Sequence, residues 1–118
     1  MKTKELLDII IDSIQDKKGL KICDIDLSDI HAAPTSRFVI CQGKTPTQTG
    51  AIADNVIEQM RERANRKPVV TEGYRNGQWI IIDYGEIMVH VFMPEFREFY
   101  NLEDLWVDGK IRRIPDLD

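Results

Sequence analysis

The sequence predicts an α/β fold built on one mixed sheet, with elements in the order αββαβββα. Three observations predict it. Stretches with apolar residues at helical spacing alternate with short runs of strand character. One helical stretch stands between strands, where it can carry a right-handed crossover joining two parallel neighbours. The remaining strands read as antiparallel neighbours, which gives a five-stranded sheet.

Residues 3–18 are predicted helical, because Leu6, Leu7, Ile10, Ile11 and Ile14 recur on one face. Lys17-Lys18-Gly19 is a stop signal, with cations in the last turn and a glycine free to take positive φ. Residues 21–27 read as a strand, with Cys23, Ile25 and Leu27 alternating against Asp24 and Asp26. Residues 28–36 form a loop containing Pro34, and residues 37–42 form a second strand. Thr45-Pro46-Thr47-Gln48 is a capping box with proline at the first helical position. Ile52, Val56, Ile57 and Met60 mark the inner stripe of the helix it opens, which runs to residue 64. Pro68 begins a third strand, Val69-Val70-Thr71. Residues 78–83 and 86–93 are two more, joined by Tyr84-Gly85 as a two-residue turn. Pro94 opens a last helix that ends near Trp106. Residues 1–106 are therefore assigned to a single domain, and residues 107–118 to a polar tail that Ile111 and Ile114 could partly order.

A chain of 118 residues can bury a hydrophobic core without disulfide or metal staples. No run is long and apolar enough to cross a bilayer, and Asp8 and Asp12 interrupt the N-terminal stretch where a signal peptide needs continuous apolar residues. Cys23 and Cys41 form no CxxC and have no histidine at zinc-ligand spacing, so they read as reduced, buried thiols. These points suggest a cytoplasmic protein or one of an organelle matrix. The net charge of −4 does not attract phosphate backbones over a distance. A partner near RNA would then be a basic protein.

Strand alternation splits residues 78–93 into two faces. If Asp83 pairs with Glu86 across the turn, Ile81 faces Met88 and Trp79 faces His90. Ile80, Ile82, Ile87, Val89, Val91 and Met93 form a wholly apolar face, assigned to the core. The other face carries Trp79, Ile81, Asp83, Glu86, Met88, His90 and Phe92. Two carboxylates and a histidine are costly to bury unpaired, while Trp, Ile, Met and Phe together are unusual on a plain solvent face. That mixture suits a protein-binding patch. A second core layer under a helix would also account for it.

Other motifs give less. Gly43-Lys44-Thr45 resembles the end of a phosphate-binding loop, but Phe38 stands where the earlier glycine is needed. Asp24 and Asp26 form a DxD pair that could share a magnesium ion, yet a solvated strand face explains them more simply. His90 has no placed serine or cysteine nucleophile, His31 sits in a loop, and Arg112-Arg113 is too short for a nucleic-acid patch. No catalytic residue, metal site or cofactor is assigned.

Three segments together resemble the ribosome silencing factor family, also called Iojap. The first is Phe38-Val39-Ile40-Cys41-x-Gly43 followed by Ala51-Ile52-Ala53-Asp54-x-Val56. The second is Glu72-Gly73, then Trp79-Ile80-Ile81-Ile82-Asp83-x-Gly85-x-Ile87-x-Val89-His90-Val91. The third is Arg97-x-x-Tyr100-x-Leu102-Glu103-x-Leu105-Trp106. The match runs from residue 3 to Trp106. The chain departs from many members at Thr35-Ser36, at Thr47, and in its longer tail.

The resemblance implies binding to the large ribosomal subunit through its fourteenth protein, at the face that meets the small subunit. It implies a steric block on subunit joining that lowers translation in starved or stationary cells, with a part in late large-subunit assembly. It also implies a fold similar to nucleotidyltransferases without their catalytic carboxylates, and homodimers of the free protein. The expected contact surface is then the mixed hairpin face. Trp79 is its anchor, Ile81, Met88 and Phe92 surround it, and Asp83, Glu86 and His90 supply polar contacts to a basic partner. An enzyme using Asp24 and Asp26, or a module that binds only a second copy of itself, are the competing readings.

Overall fold

The structure is a computed structural model and describes residues 2–117. The first helix, α1, spans Thr3–Asp16 and buries Leu6, Leu7, Ile9, Ile10, Ile11 and Ile14, as its apolar spacing requires. Its exit differs from the expected glycine cap. Lys18 takes the positive φ of 60°, while Gly19 is needed for space, since a Cβ there would lie 2.3 Å from Ile14 Cγ2.

Strand β1, Leu20–Asp26, pairs antiparallel with β2, Arg37–Gln42. Helix α2, Pro46–Ala64, starts as its capping residues dictate: Gln48 N–H donates to Thr45 Oγ1 at 3.1 Å. The Gln48 side chain reaches back to accept from the Lys44 N–H at 2.8 Å. Its amide group donates to the carbonyls of Lys17 and Lys18, tying the end of α1 to the start of α2. Asn65, left-handed at φ 52°, ends the helix. The short β3, Val70–Glu72, lies one residue later than expected and is exposed throughout. It pairs antiparallel with β4, Trp79–Asp83, which pairs antiparallel with β5, Ile87–Phe92. The parallel pair is β2 with β5, and α2 lies in the connection between them.

Three expectations are corrected here. The sheet has six strands, in the order β3-β4-β5-β2-β1-β6. The sixth, β6 (Lys110–Arg113), lies inside the stretch expected as a polar tail and pairs antiparallel with β1. Its four residues alternate too little to stand out as a strand, but Ile111 and Ile114 each pack on a hydrophobic cluster. The hairpin register is shifted by two residues: Trp79 faces Phe92, Ile81 faces His90 and Asp83 faces Met88. Tyr84 pairs with Ile87 through its N–H, so the turn is Gly85-Glu86, with Gly85 at φ 90° in the first central position. The last helix is two: α3, Pro94–Tyr100, and α4, Leu102–Leu105, hinged at Asn101, which is left-handed at φ 46°.

Helices α1 and α2 cover one face of the sheet. Ile22, Val39, Cys41, Ile80, Ile82, Ile87, Val89 and Val91 lie beneath them, as the expected aliphatic face requires. Met93, assigned to that face, stands half-buried beyond the strand as the residue before α3. The opposite face carries a smaller cluster of Cys23, Ile25, Leu27, Phe38, Ile40, Phe92 and Leu102. Phe96 and Trp106 pack on it, so the α3–α4 segment forms a partial third layer.

Candidate functional site

The hairpin face opposite α1 and α2 is split by this third layer. Trp79, Ile81, Asp83 and Met88 remain half-buried, whereas His90 and Phe92 are 2% and 1% exposed. The expectation that all seven residues form one open patch is corrected for those two. The reason is the aromatic content of α3 and of Trp106, the residue that ends α4. Trp79 packs against Phe92 with ring centroids 5.1 Å apart, and against Tyr100 at 4.5 Å. Phe38 meets His90 edge-on at 4.5 Å and Trp106 at 6.2 Å. The face thus combines a half-buried patch with a second core layer.

A hydrogen bond fixes the Trp79 indole. The Trp79 indole N–H donates to His90 Nδ1 at 3.0 Å. The neutral imidazole must then carry its proton on Nε2. Nε2 meets no hydrogen-bond partner among the described residues. Burial pushes the His90 pKa down to about 3, so the ring is neutral at physiological pH. The polar edge of Trp79 is thus consumed inside, and its outward surface is apolar.

The two carboxylates expected at the rim are engaged locally. Asp83 accepts from the Gly85 N–H at 2.8 Å and so shapes the turn. Glu86 sits in the turn and ion-pairs with Arg66, which also donates to the Tyr84 carbonyl. Both partners of that pair are about a third exposed, so its contribution to stability is small.

The third layer is held by Arg97. Its guanidinium donates to Glu103 Oε1 at 3.0 Å, to the Lys21 carbonyl at 2.6 Å and to Gln42 Oε1 at 3.2 Å. One buried side chain therefore ties α3 to α4, β1 and β2. The Arg97–Glu103 pair closes across the Asn101 hinge, and so keeps Tyr100 beside Trp79 while Trp106 covers Phe38. Sequence reasoning gave Tyr100, Phe96 and Arg97 no part in the face. The available signal was the aromatic density of residues 96–106, too great for a helix with one buried stripe. Phe99 is 78% exposed and Leu105 is 68% exposed on the same segment.

The DxD pair has a different fate from a solvated strand face. Asp24 is 2% exposed and accepts from Arg112 Nε at 2.8 Å on β6, with Arg37 at 3.4 Å on β2. Arg37 also pairs with Asp26 at 3.4 Å. Asp26 additionally accepts from the N–H and hydroxyl of Ser28, which hold its pKa below the usual carboxylate range. Arginines thus occupy the pair where a metal would have to sit. No group of three or more metal-ligating side chains forms among the described residues. Lys44 and Thr45 open α2 as cap residues. Cys23 and Cys41 are buried free thiols, and burial pushes Cys41 up to about 12. His31 is exposed in its loop.

Fold and face together define a mixed α/β protein whose hairpin face carries a half-buried aromatic cluster. The described residues include no helix long and apolar enough to cross a membrane. Comparison with known proteins then places it. Residues 1–118 match the family model described as ribosomal silencing factor during starvation. The ribosomal silencing factor of Bacillus subtilis is 33% identical over 118 residues, covering 100% of this chain and 96% of that protein. A crystal structure of a Chromobacterium violaceum protein, 31% identical, superposes with a TM-score of 0.86 over 91% of this chain and 88% of that one. Mouse mitochondrial assembly of ribosomal large subunit protein 1 is 26% identical over 102 residues, which cover 85% of this chain and 44% of the mouse protein. The chain belongs to the ribosomal silencing factor family.

Proposed function

We propose that this protein binds the large ribosomal subunit and sterically blocks joining of the small subunit, repressing translation when nutrients fail. One observation carries the reading within the family: Trp79 stands half-buried with its N–H turned inward to His90 and its apolar surface turned outward. A rigid aromatic anchor with no polar group left to satisfy suits the centre of a protein interface. Ile81 and Met88 extend the apolar surface, Asp83 and Glu86 border it, and His90 and Phe92 support it from below. The net charge of −4 favours a basic protein on the subunit, the fourteenth by family resemblance, over bare RNA. Blocking needs only occupancy, so no bond is made or broken. The same occupancy suits a factor that accompanies late large-subunit assembly in the cytoplasm. The arginine-held Asp24 and Asp26 support a non-catalytic use of the fold, which family resemblance makes similar to nucleotidyltransferases. Self-association of the free protein through the same face would compete with subunit binding.

The test is sedimentation with purified subunits followed by a joining assay. The protein is expected to travel with large subunits, not small ones, and to reduce joined ribosomes in proportion to occupancy. Equal binding to both subunits, or large-subunit binding without any effect on joining, would sink the reading.

A further inference from the structure

Beside the hairpin face lies a hollow of about 120 Å³, lined by Gly73, Asn76, Gln78, Trp79, Phe96 and Tyr100. We propose that it is a socket for one cationic side chain, an arginine, of the protein partner. The proposal rests on the large-subunit reading above and adds the chemistry of one contact to it.

Three aromatic residues from two elements line one side. Trp79 comes from β4, and Phe96 and Tyr100 come from α3. Their positions are fixed from behind. Trp79 is pinned by His90 and packs on Phe92, and Tyr100 is kept beside it by the Arg97 clamp. The other side is the loop between β3 and β4. It lies hard against the strand at Gly73, where a Cβ would fall 1.9 Å from the Trp79 carbonyl oxygen. Any side chain at Gly73 would push this wall away, so the hollow depends on that glycine.

The lining selects charge. No ionised side chain borders the hollow; Arg75 lies in the same loop and is not among the lining residues. Aromatic faces attract cations, and a planar guanidinium can also stack on them. The amide oxygens of Asn76 and Gln78 can accept from its N–H groups. The surroundings are acidic. Glu72 and Glu95 adjoin lining residues in the chain and are exposed, as is Arg75, which leaves one negative charge in excess. Residues 94–108 hold Glu95, Glu98, Glu103, Asp104 and Asp108 against the single cation Arg97, which is spent on Glu103. The net negative surroundings disfavour a phosphate or carboxylate relative to a cation. A purely apolar side chain would gain nothing from the Asn76 and Gln78 amides, which are exposed and hydrated.

Two measurements test this. N-acetyl-argininamide and its uncharged counterpart N-acetyl-norleucinamide are titrated into the intact protein while the Trp79 indole N–H is followed by NMR. The arginine probe is expected to shift that signal saturably, the norleucine probe is not, and Tyr100→Leu should abolish the shift. Equal shifts from both probes, no shift from either, or a shift from a mononucleotide in place of arginine would overturn the socket. In parallel, Tyr100→Leu keeps apolar bulk but removes the aromatic face, and should weaken large-subunit binding roughly tenfold. Tyr100→Phe should retain it. If Trp79→Ala abolishes subunit binding and Tyr100→Leu leaves it intact, the subunit reading stands and the socket falls. If the wild type takes the arginine probe but never binds large subunits, the subunit reading falls and the socket belongs to another basic protein.

Discussion

Trp79 donates its indole N–H to Nδ1 of His90 at 3.0 Å, and the two residues are not cross-strand partners. Phe92 faces Trp79 in the ladder and Ile81 faces His90, so the bond runs diagonally across the hairpin. It links the half-buried indole to a buried imidazole.

That link makes stability depend on pH. His90 has its folded pKa lowered to about 3 from the ordinary 6.5, so the unfolded chain binds a proton that the folded chain excludes. Its contribution is full above pH 6.5 and is lost as pH falls from there toward 3. The slope approaches about 1.4 kcal/mol per pH unit. Thermal melts from pH 7 to pH 5 should show a falling Tm before carboxylates titrate. His90→Gln, which can still accept from Trp79, should be less stable at pH 7 but flatter over that interval. An unchanged slope in the variant would show that the effect lies elsewhere.

Trp79→Ala is expected to cost stability as well as binding. The ring packs on Phe92 and Tyr100, and its loss leaves Nδ1 of His90 buried without a donor, a penalty of about 1–3 kcal/mol. Truncation at the centre of an interface typically costs about 2 kcal/mol or more, roughly thirtyfold in affinity. Met88→Ala separates the two effects, because Met88 is half-buried and makes no side-chain hydrogen bond. It should weaken subunit binding with a small change in Tm. Normal affinity for Met88→Ala would move the interface off the hairpin.

Ile82→Ala provides the contrasting case. Ile82 is fully buried under α1 and α2, and removing it should cost about 2–5 kcal/mol through lost burial and a cavity. Denaturant unfolding should show this loss. Subunit binding by the folded fraction should stay normal.

Arg97→Lys should fail to rescue Arg97→Ala. A lysine cannot hold Glu103, the Lys21 carbonyl and Gln42 together from one planar group. Hydrogen exchange is the measurement, with faster exchange expected across residues 94–106 in both variants. Protection restored by lysine would mean that charge alone matters there.

Much of this was legible in the sequence because local chemistry and burial agreed. The α2 boundaries follow from Thr45, Pro46 and Gln48, and the aliphatic face from strict alternation in β4 and β5. What was not legible depends on partners distant in the chain. The hairpin register turned on which two of three turn residues lie outside the ladder, and Gly85 suits either choice. Ile111 and Ile114 hint at order in the tail, but the place of the sixth strand rests on Asp24, whose buried charge calls for Arg112. The break at Asn101 needs a left-handed residue that its neighbours do not announce. Phe96 before that break and Leu102 and Trp106 after it belong to the cluster around Phe92, a spread that one buried stripe of a single helix does not suggest.

The Asp24–Arg112 pair also has a consequence in time. Its members stand 88 positions apart, and the ribosome makes Asp24 long before Arg112. Until the later residue emerges, β1 has an open edge and a carboxylate with Arg37 as its only cation on the completed strands. Closure of that side of the sheet must therefore be among the last folding events during synthesis. The central β2–β5 pairing, which joins Arg37 to Ile87, precedes it along the chain and can form first.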